Sequence, residues 1–314
     1  MHNPPSPCST YWFHYITEMD PLKIQEVIEE KMILVNQIPT HVDIYDIKPP
    51  QTCKGSAVFI HGTAVYSRFY AEFCYHLWKK GYRIIAPDLP GHGLSRGSRG
   101  HFTMNQVINF ISEIISFVQH EFPGKITLMG SSLGGIACFY AVAAHLPVDA
   151  AICHNAAVFS EHASKSIVKV KGIYKLLVPF VPIIAKIFPK MRISVLTYLP
   201  VESLANTPRG FEIINNLMKD PLVAWKYTLT ALKTQMEDPP LSPIEEIITP
   251  VMFINGENDA LFSPVYMQSL YERLTCPKEF QIIPDQAHLL FQEQPLLMAD
   301  LIAKFLDKQF TGGK

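Results

Sequence analysis

The chain alternates short apolar segments with longer helical segments, and this alternation constrains its fold more than any other feature. Residues 55–62, 82–88 and 125–130 are apolar and rich in β-branched residues, as buried strands are, and each precedes a segment with helical periodicity. The pattern resumes at residues 249–256 and 278–285, before a final helix. Short Gly- or Pro-containing connections separate these segments. The pattern predicts an α/β fold, a mostly parallel central sheet with flanking helices.

The alternation stops between the strand predicted near residues 148–156 and the one that begins at residue 249. Residues 136–255 contain two glycines, against eleven in residues 55–135, and prolines punctuate their helical segments. We therefore expect a helical cap inserted into the sheet domain. The predicted division is an N-terminal arm over residues 1–30, a core over 31–156 and 245–314, and the cap over 157–244. The Pro-rich opening of the arm is expected to lie on the surface or to be mobile.

Composition limits the classes of protein that the chain can belong to. The 314 residues can form one large domain with an insertion or two smaller domains. An apolar share of 48% and a charged share of 18% exclude a disordered chain. The net charge of −1 gives no indication of a nucleic-acid partner. The sequence predicts a globular protein whose oligomeric state it does not define.

The cysteines and the N-terminus indicate the compartment. The six cysteines are scattered, without a CxxC or other zinc-ligand spacing, which favours a reducing environment and no structural metal. The N-terminus lacks the basic start and sustained apolar region of a signal peptide, and no apolar run approaches the roughly 20 residues of a spanning helix. We expect a cytoplasmic protein that is soluble or held at a membrane surface.

One half of the predicted cap is strongly basic. Residues 162–201 contain six lysines and one arginine but no acidic residue, and they include the apolar stretch 176–185. Cations interleaved with apolar side chains are typical of segments that contact anionic membranes. The alternative is a cap with a Lys-rich solvent face and an apolar underside that covers a pocket. Both interpretations predict an apolar pocket mouth.

A Gly-x-Ser-x-Gly motif lies where a predicted strand meets a predicted helix. Gly130, Ser132 and Gly134 form it, and Gly135 follows. In a nucleophile elbow the serine occupies a strained strand-to-helix turn, and small neighbours allow the backbone to close. Ser132 is therefore the predicted nucleophile. The alternative is a glycine-rich turn without a chemical role.

A serine nucleophile needs a base and an orienting carboxylate. In an open parallel sheet such residues lie in loops at the carboxyl ends of strands. Asp259 and His288 follow two successive predicted strands, and Glu257 is a second candidate acid in the first loop. The predicted triad is Ser132, Asp259 and His288, in the order expected for this scaffold. Structural roles are expected for the other candidate histidines, His92, His101, His145 and His154.

Acyl transfer also needs donors for the oxyanion. The N–H of Leu133, directly after the nucleophile, is one predicted donor, and the N–H of Thr63, in the loop after the 55–60 strand, is the other. His61, in the same loop, is expected to be a hydrogen-bonded core residue that shapes it.

Residues 88–100 match the pattern D-x-x-G-H-G-x-S-x-G-x-R-G, through Asp88, Gly91, His92, Gly93, Ser95, Gly97, Arg99 and Gly100. On this motif, the elbow, the segments 219–222 and 250–264, and residues 288–293, the chain resembles the α/β-hydrolase superfamily. Within it the chain is similar to the monoacylglycerol lipase and lysophospholipase branch, also described as serine aminopeptidase-like. The resemblance covers residues 55–305.

The sequence departs from the pattern of this branch at three positions. Ser131 stands where the branch commonly has His, and Val65 and Tyr66 replace a polar pair in the oxyanion loop, whereas Tyr70 agrees with the pattern. These departures bear on monoacylglycerol preference and leave the predicted triad unchanged.

The resemblance and the triad together imply hydrolysis of a carboxylic ester with an apolar acyl chain, such as a monoacylglycerol or lysophospholipid. No metal or organic cofactor is expected, because the serine supplies the covalent intermediate. The expected partner is a small lipid ester. Thioesterase, aminopeptidase and acyltransferase activities, and a non-hydrolytic ligand-binding protein on the same fold, remain the alternatives.

Overall fold

An eight-stranded sheet forms the centre of the computed structural model, which describes residues 10–161 and 178–311. The strands in the described residues are β1 (Ile28–Val35), β2 (Ile38–Tyr45), β3 (Gly55–Ile60), β4 (Tyr82–Pro87), β5 (Ile126–Ser131), β6 (Ala150–His154), β7 (Arg192–Ser194), β8 (Lys226–Thr228), β9 (Val251–Gly256) and β10 (Lys278–Ile283). The order across the sheet is β1-β2-β4-β3-β5-β6-β9-β10. β1 and β2 pair antiparallel, as do β2 and β4, and the other neighbours are parallel. The predicted mostly parallel α/β sheet is confirmed.

Helices cover both faces of the sheet. The α-helices in the described residues, of which α5, α6 and α7 belong to the insertion, are α1 (Pro21–Gln25), α2 (Ala71–Lys79), α3 (Met104–Glu121), α4 (Leu133–Ala143), α5 (Val181–Ile187), α6 (Pro208–Leu217), α7 (Leu229–Glu237), α8 (Pro264–Arg273), α9 (Leu290–Glu293) and α10 (Pro295–Thr311). α2 packs against α10, and α3 packs against α4. Every residue of β3, β4, β5, β6 and β9 is buried, which explains why these strands are mostly apolar.

The β1–β2 hairpin was not predicted from the sequence. β1 lies at the edge of the sheet and most of its residues are partly or fully exposed, so it lacks the continuous apolar run of the central strands. Its turn is formed by Asn36 and Gln37, whose φ angles of 49° and 63° are both positive. A two-residue turn in which both residues have positive φ has the same twist as the two strands that it connects, so such turns are common in β-hairpins.

The insertion lies between β6 and β9, which are neighbours in the sheet. Its described part contains α5, α6 and α7, as expected of a helical cap, and also the antiparallel β7–β8 ribbon, which the sequence did not predict. Residues 162–177 of the expected cap lie outside the described residues. The bounds 157–244 stay a prediction.

The N-terminal segment packs against the insertion. Trp12 is fully buried, and the Tyr15 hydroxyl donates to Oδ2 of Asp220, 2.7 Å away. The sheet begins at Ile28, slightly before the predicted end of the arm at residue 30. Residues 10–27 therefore form a packed connection between the core and the insertion, whereas the Pro-rich opening lies outside the described residues.

A cluster of buried charged side chains connects β2 to the loop after β4. Nδ1 of His41 lies 3.0 Å from Oδ2 of Asp88, and its Nε2 lies 3.4 Å from Oδ1 of Asp43. Arg68 also donates from Nε to Oδ2 of Asp43, at 2.8 Å. Burial alone would lower the pKa of His41, but the charges of Asp88 and Asp43 raise this pKa to about 10. The His41 imidazolium is thus part of the folded state.

This cluster makes stability depend on pH. Because the folded-state pKa of His41 lies above the unfolded value of about 6.5, its stabilising contribution is complete below pH 6.5 and is lost as the pH rises through about 10. We expect wild type to lose roughly 3 kcal/mol more unfolding free energy than His41→Gln between pH 6 and 10. Urea denaturation at several pH values measures this, with the exposed His120→Gln variant as control. Equal pH slopes for wild type and His41→Gln would contradict the assignment.

Candidate active site

Ser132 occupies a sharp turn between β5 and α4. Its backbone has φ 56° and ψ −121°, a conformation that costs a non-glycine residue free energy. Its N–H donates to the carbonyl of His154 at 2.8 Å, and its carbonyl accepts from the N–H of Ile136 at 3.0 Å. The surrounding structure therefore holds Ser132 in the strained conformation of a nucleophile elbow.

The glycines beside Ser132 allow β3 to approach this turn. A methyl group on Gly134 would overlap the backbone carbonyl of Ile60, and one on Gly130 would lie 2.5 Å from the backbone of Gly134. Both positions lack room for a side chain. The Gly-x-Ser-x-Gly motif is thus explained by backbone packing.

Asp259 and His288 meet at the carboxyl ends of β9 and β10. Nδ1–H of His288 donates to Oδ2 of Asp259 at 2.7 Å. Oδ1 of Asp259 accepts from the N–H groups of Leu261 and Phe262, at 2.8 and 3.0 Å. Burial raises the pKa of Asp259, but the neighbouring His288 and these hydrogen bonds lower it to about 2 overall. The carboxylate is therefore ionised at neutral pH and holds His288 in the tautomer that carries the proton on Nδ1.

The insertion helps to position His288. The backbone N–H groups of His288 and Leu289 both donate to the carbonyl of Leu204, at 3.0 and 3.1 Å. The His288 ring also stacks on the ring of Phe262, with centroids 5.8 Å apart. The base candidate is thus held by the core on one side and by the insertion on the other.

Ser132 and His288 border one cavity of about 40 Å³ without a hydrogen bond between them. Long catalytic hydrogen bonds are common in unliganded sites. The cavity has room for about one water molecule. Apart from Thr63, Ser132 and His288, its described lining is glycine and apolar or aromatic side chains: Gly62, Ala64, Val65, Phe69, Tyr70, Leu199, Val201, Leu204, Leu217, Trp225 and Leu289. The sequence placed Val65 and Tyr70 in the oxyanion loop, but it did not identify the lining residues that come from distant segments.

Both predicted oxyanion donors lie near Ser132: Thr63 borders the same cavity, and Leu133 directly follows Ser132 in the chain. Thr63 lines the cavity, and Leu133 is the first residue of α4, so its N–H has no carbonyl partner within that helix. Ala64 next to Thr63 has φ 68°, and its N–H donates to the Tyr227 hydroxyl at 2.8 Å. Its carbonyl accepts from the N–H of Ala224 at 2.8 Å. Residues of the insertion therefore fix the loop that carries Thr63.

The other candidates have partners elsewhere. Glu257 is exposed and accepts from the N–H of Asp285 at 3.0 Å, so it does not reach His288. Nε2 of His92 lies 2.9 Å from the Tyr227 hydroxyl, and Nδ1 of His101 lies 3.0 Å from Oγ1 of Thr228. His145 follows the end of α4 with φ 57°. His61 is buried and its Nε2 accepts from the N–H of Leu89 at 2.9 Å, as expected of a core histidine.

His154 lies closer to the site than the sequence suggested. Its ring centroid is 5.3 Å from that of His288, and its Nδ1 is 2.8 Å from Oγ of Ser131. Burial, followed by the charge of the neighbouring His288, lowers the pKa of His154 to about 3. A neutral imidazole thus stands beside the base candidate.

The motif at residues 88–100 is hydrogen-bonded within itself, to the segment after β3 and to the insertion. Oδ1 of Asp88 accepts from the N–H of Ser67 at 2.7 Å, and its Oδ2 accepts from the N–H of Leu94 at 2.8 Å. Arg99 donates to the carbonyl of Leu222 in the insertion. The motif therefore connects the core to the insertion.

Two clusters of described residues have the composition of a metal site. One consists of Glu30, His41 and Asp43, where the Arg68 guanidinium already supplies a cation. The other consists of His154, Asp259 and His288, all buried.

Comparison with known proteins assigns the chain to a family. The model of the serine aminopeptidase (S33) family matches residues 51–295. The chain belongs to this family. The resemblance to the α/β-hydrolase superfamily and its monoacylglycerol lipase-like branch is confirmed.

A curated relative and two solved structures show how far the similarity extends. Phospholipase YtpA of Bacillus subtilis is 32% identical over 82 residues, which make up 25% of this chain and 30% of that protein. The monoacylglycerol lipase of Paleococcus ferrophilus is 21% identical, with a TM-score of 0.67 over 87% of this chain and 99% of the lipase. A soluble variant of monoglyceride lipase from Saccharomyces cerevisiae is 17% identical, with a TM-score of 0.71 over 90% of this chain and 97% of that chain. At these identities the two structures show the shared fold.

Within the described residues, no helix combines the length and apolar character needed to cross a bilayer.

The strain at Ser132 gives a prediction that does not depend on activity. Its φ and ψ are the mirror image of an extended conformation, which glycine adopts without cost. We expect Ser132→Gly to be more stable than Ser132→Ala by about 1–2 kcal/mol, since both remove the hydroxyl but only glycine relieves the strain. Urea denaturation of the two variants measures the difference. A more stable Ser132→Ala would show that the turn is not strained.

Proposed function

We propose that this protein is a serine hydrolase that cleaves carboxylic esters with an apolar acyl chain, such as monoacylglycerols or lysophospholipids. One observation carries the proposal: Ser132, in its strained turn, borders the same cavity as His288, whose Nδ1–H is bonded to Asp259. A nucleophile, a base and an orienting carboxylate are the three groups that acyl transfer through a serine needs.

Each group has a defined task in the proposed reaction. Oγ of Ser132 attacks the ester carbonyl while Nε2 of His288 takes the hydroxyl proton. The N–H groups of Thr63 and Leu133 donate to the oxyanion of the tetrahedral intermediate. His288 then returns its proton to the departing alcohol, which leaves the acyl group on Ser132. Asp259 stabilises the imidazolium in both steps.

The second half of the reaction repeats the first with water. His288 removes a proton from a water molecule, and the resulting hydroxide attacks the acyl carbonyl. The acid departs when His288 returns the proton to Oγ of Ser132. The acyl-enzyme thus divides one difficult hydrolysis into two easier steps.

The lining of the cavity supports an apolar substrate. None of the described residues that border it is acidic, whereas an aminopeptidase needs carboxylates to bind the ammonium group of its substrate. Aliphatic and aromatic side chains favour an acyl chain instead. The cavity is too small for such a chain, so substrate entry requires the insertion to move from the contacts that Leu199, Leu204 and Trp225 make there. Thioesters share this chemistry and stay an alternative substrate class.

Hydrolysis of p-nitrophenyl esters of increasing acyl length tests the proposal. We expect wild type to prefer medium or long chains, and Ser132→Ala to lose turnover by at least about 10⁴-fold. Ser131→Ala removes the adjacent hydroxyl and is the matched control, which should stay within about 10-fold of wild type. Equal loss in both serine variants, or no turnover of any ester by wild type, would refute the assignment.

The two acids of the loop after β9 provide a further control in this assay. Asp259→Asn should lower turnover by about 10³–10⁴-fold, because it favours the wrong tautomer of His288. Glu257→Gln should leave turnover unchanged, since Glu257 is exposed and bonded to the backbone of Asp285. Loss of turnover in Glu257→Gln but not in Asp259→Asn would identify Glu257 as the carboxylate that orients His288.

We further propose that the basic part of the cap contacts anionic membranes. Of the segment 162–201, residues 178–201 are described, and they expose several large apolar side chains: Phe180, Ile183, Ile187, Phe188, Met191 and Leu196. Lys186, Lys190 and Arg192 lie within the same stretch. Apolar side chains can enter the lipid boundary while the cations meet anionic head groups. This arrangement would bring the acyl-chain site to its substrate.

Vesicle flotation tests the membrane proposal. We expect wild type to float with vesicles that contain phosphatidylserine at about 20 mM salt and to be released at about 500 mM, since salt screens surface charges. Ile187→Ser should weaken flotation several-fold. Leu34→Ser, in an exposed apolar position of the β1 edge strand, is the control and should float like wild type. Failure of wild type to float at low salt would exclude the proposal.

A further inference from the structure

His154 contributes a third potential metal ligand beside the proposed catalytic pair. One ring nitrogen of His154, one ring nitrogen of His288 and one carboxylate oxygen of Asp259 lie within 4.8 Å of one another. All three side chains are buried. The proposed reaction uses His288 and Asp259 but gives His154 no task. Its position therefore calls for a separate explanation.

In the described part of the chain, one ring nitrogen of His154 has no hydrogen-bond partner. His154 is fully buried, and its Nε2 has no hydrogen-bond partner among the described residues. Its Nδ1 lies 2.8 Å from Oγ of Ser131. A proton on Nε2 would be a buried donor without an acceptor, which is costly, whereas a proton on Nδ1 can be donated to Ser131. The favoured tautomer thus has its lone pair on Nε2, the form in which imidazole binds a metal.

We propose that His154, Asp259 and His288 form an inhibitory Zn²⁺ site. Two imidazoles and one carboxylate are a common protein ligand set for Zn²⁺, which leaves a fourth position for water. Tetrahedral Zn–N and Zn–O bonds of about 2.0–2.2 Å place the ligand atoms roughly 3.3 Å apart. Nδ1 of His288 and Oδ2 of Asp259, 2.7 Å apart, would therefore separate slightly to admit the ion, while the free nitrogen of His154 completes the set. Because Zn²⁺ has no geometric preference from d electrons, it tolerates a site that was not built around it.

Binding of Zn²⁺ would switch the base off. The ion replaces the Nδ1 proton that His288 shares with Asp259, and this proton is released to solvent. His288 and Asp259 are then bound to the metal instead of to each other. The ring can no longer pivot toward Ser132 or gain stabilisation of its charged form from the carboxylate, so acyl transfer stops until the ion is removed.

Zn²⁺ affinity is measured by competition with a chromophoric chelator, on wild type and His154→Gln. We expect one Zn²⁺ per wild-type chain, and affinity lower by about 100-fold in His154→Gln, which loses one of the three ligands. His120→Gln changes an exposed histidine and is the matched control, with wild-type affinity expected. Absence of binding to wild type, or equal affinity in His154→Gln, would overturn the site.

A spectroscopic measurement on wild type tests the site without relying on a variant that could fail to fold. X-ray absorption with one equivalent of Zn²⁺ should show two imidazole ligands and a nitrogen and oxygen shell near 2.0–2.2 Å. A spectrum without imidazole would overturn the site.

The inhibitory role of Zn²⁺ rests on the proposed function, whereas Zn²⁺ binding does not. Zn²⁺ should stop wild-type ester hydrolysis and a chelator should restore it, while the same concentration of Mg²⁺ has no effect. His154→Gln should retain turnover and resist Zn²⁺. Binding to wild type without loss of turnover would overturn the inhibitory role. If no ester is hydrolysed at all, the competition and absorption measurements still decide whether the site exists.

Discussion

The close approach of β3 to the turn after β5 is the constraint on which the site depends. Gly134 lies so near the carbonyl of Ile60 that a methyl group would not fit. This contact places the start of α4, with Leu133, beside the loop that carries Thr63. It also leaves Ser132 no relaxed conformation, since the chain must turn from strand to helix within one residue. Backbone strain at a single residue thus accompanies the geometry that the proposed chemistry needs.

Hydrogen bonds connect the insertion to the segments that carry the proposed catalytic groups. Tyr227 and Ala224 hydrogen-bond to Ala64, next to the proposed oxyanion donor Thr63, while Leu204 hydrogen-bonds to the backbone of His288. All three lie in the predicted cap. In the proposed reaction the insertion moves to admit an acyl chain, because the cavity of about 40 Å³ is too small for one, and these contacts lie between the insertion and the core. The same hydrogen bonds would then connect substrate entry with the positions of the proposed base and oxyanion donors.

The parts of this structure that follow from the sequence are those governed by local patterns. The central strands are buried on both faces, so their apolar runs were visible, and the ends of β9 and β10 led to Asp259 and His288. The β1–β2 hairpin was not predicted, because an edge strand with exposed side chains has no such apolar run. Tyr227 and Leu204 could not be assigned to the site, because no local pattern records which distant backbone group they bind.

His154 illustrates this limit at one position. The branch that the sequence resembles commonly has His before the nucleophile, and this chain has Ser131 there. In the sheet, Ser131 of β5 pairs with His154 of β6, so an imidazole reaches the same neighbourhood from the adjacent strand. The chain therefore has an imidazole in this neighbourhood although residue 131 is serine. One ring nitrogen each of His154 and His288 and one carboxylate oxygen of Asp259 lie within 4.8 Å of one another, a proximity that residue 131 alone does not reveal.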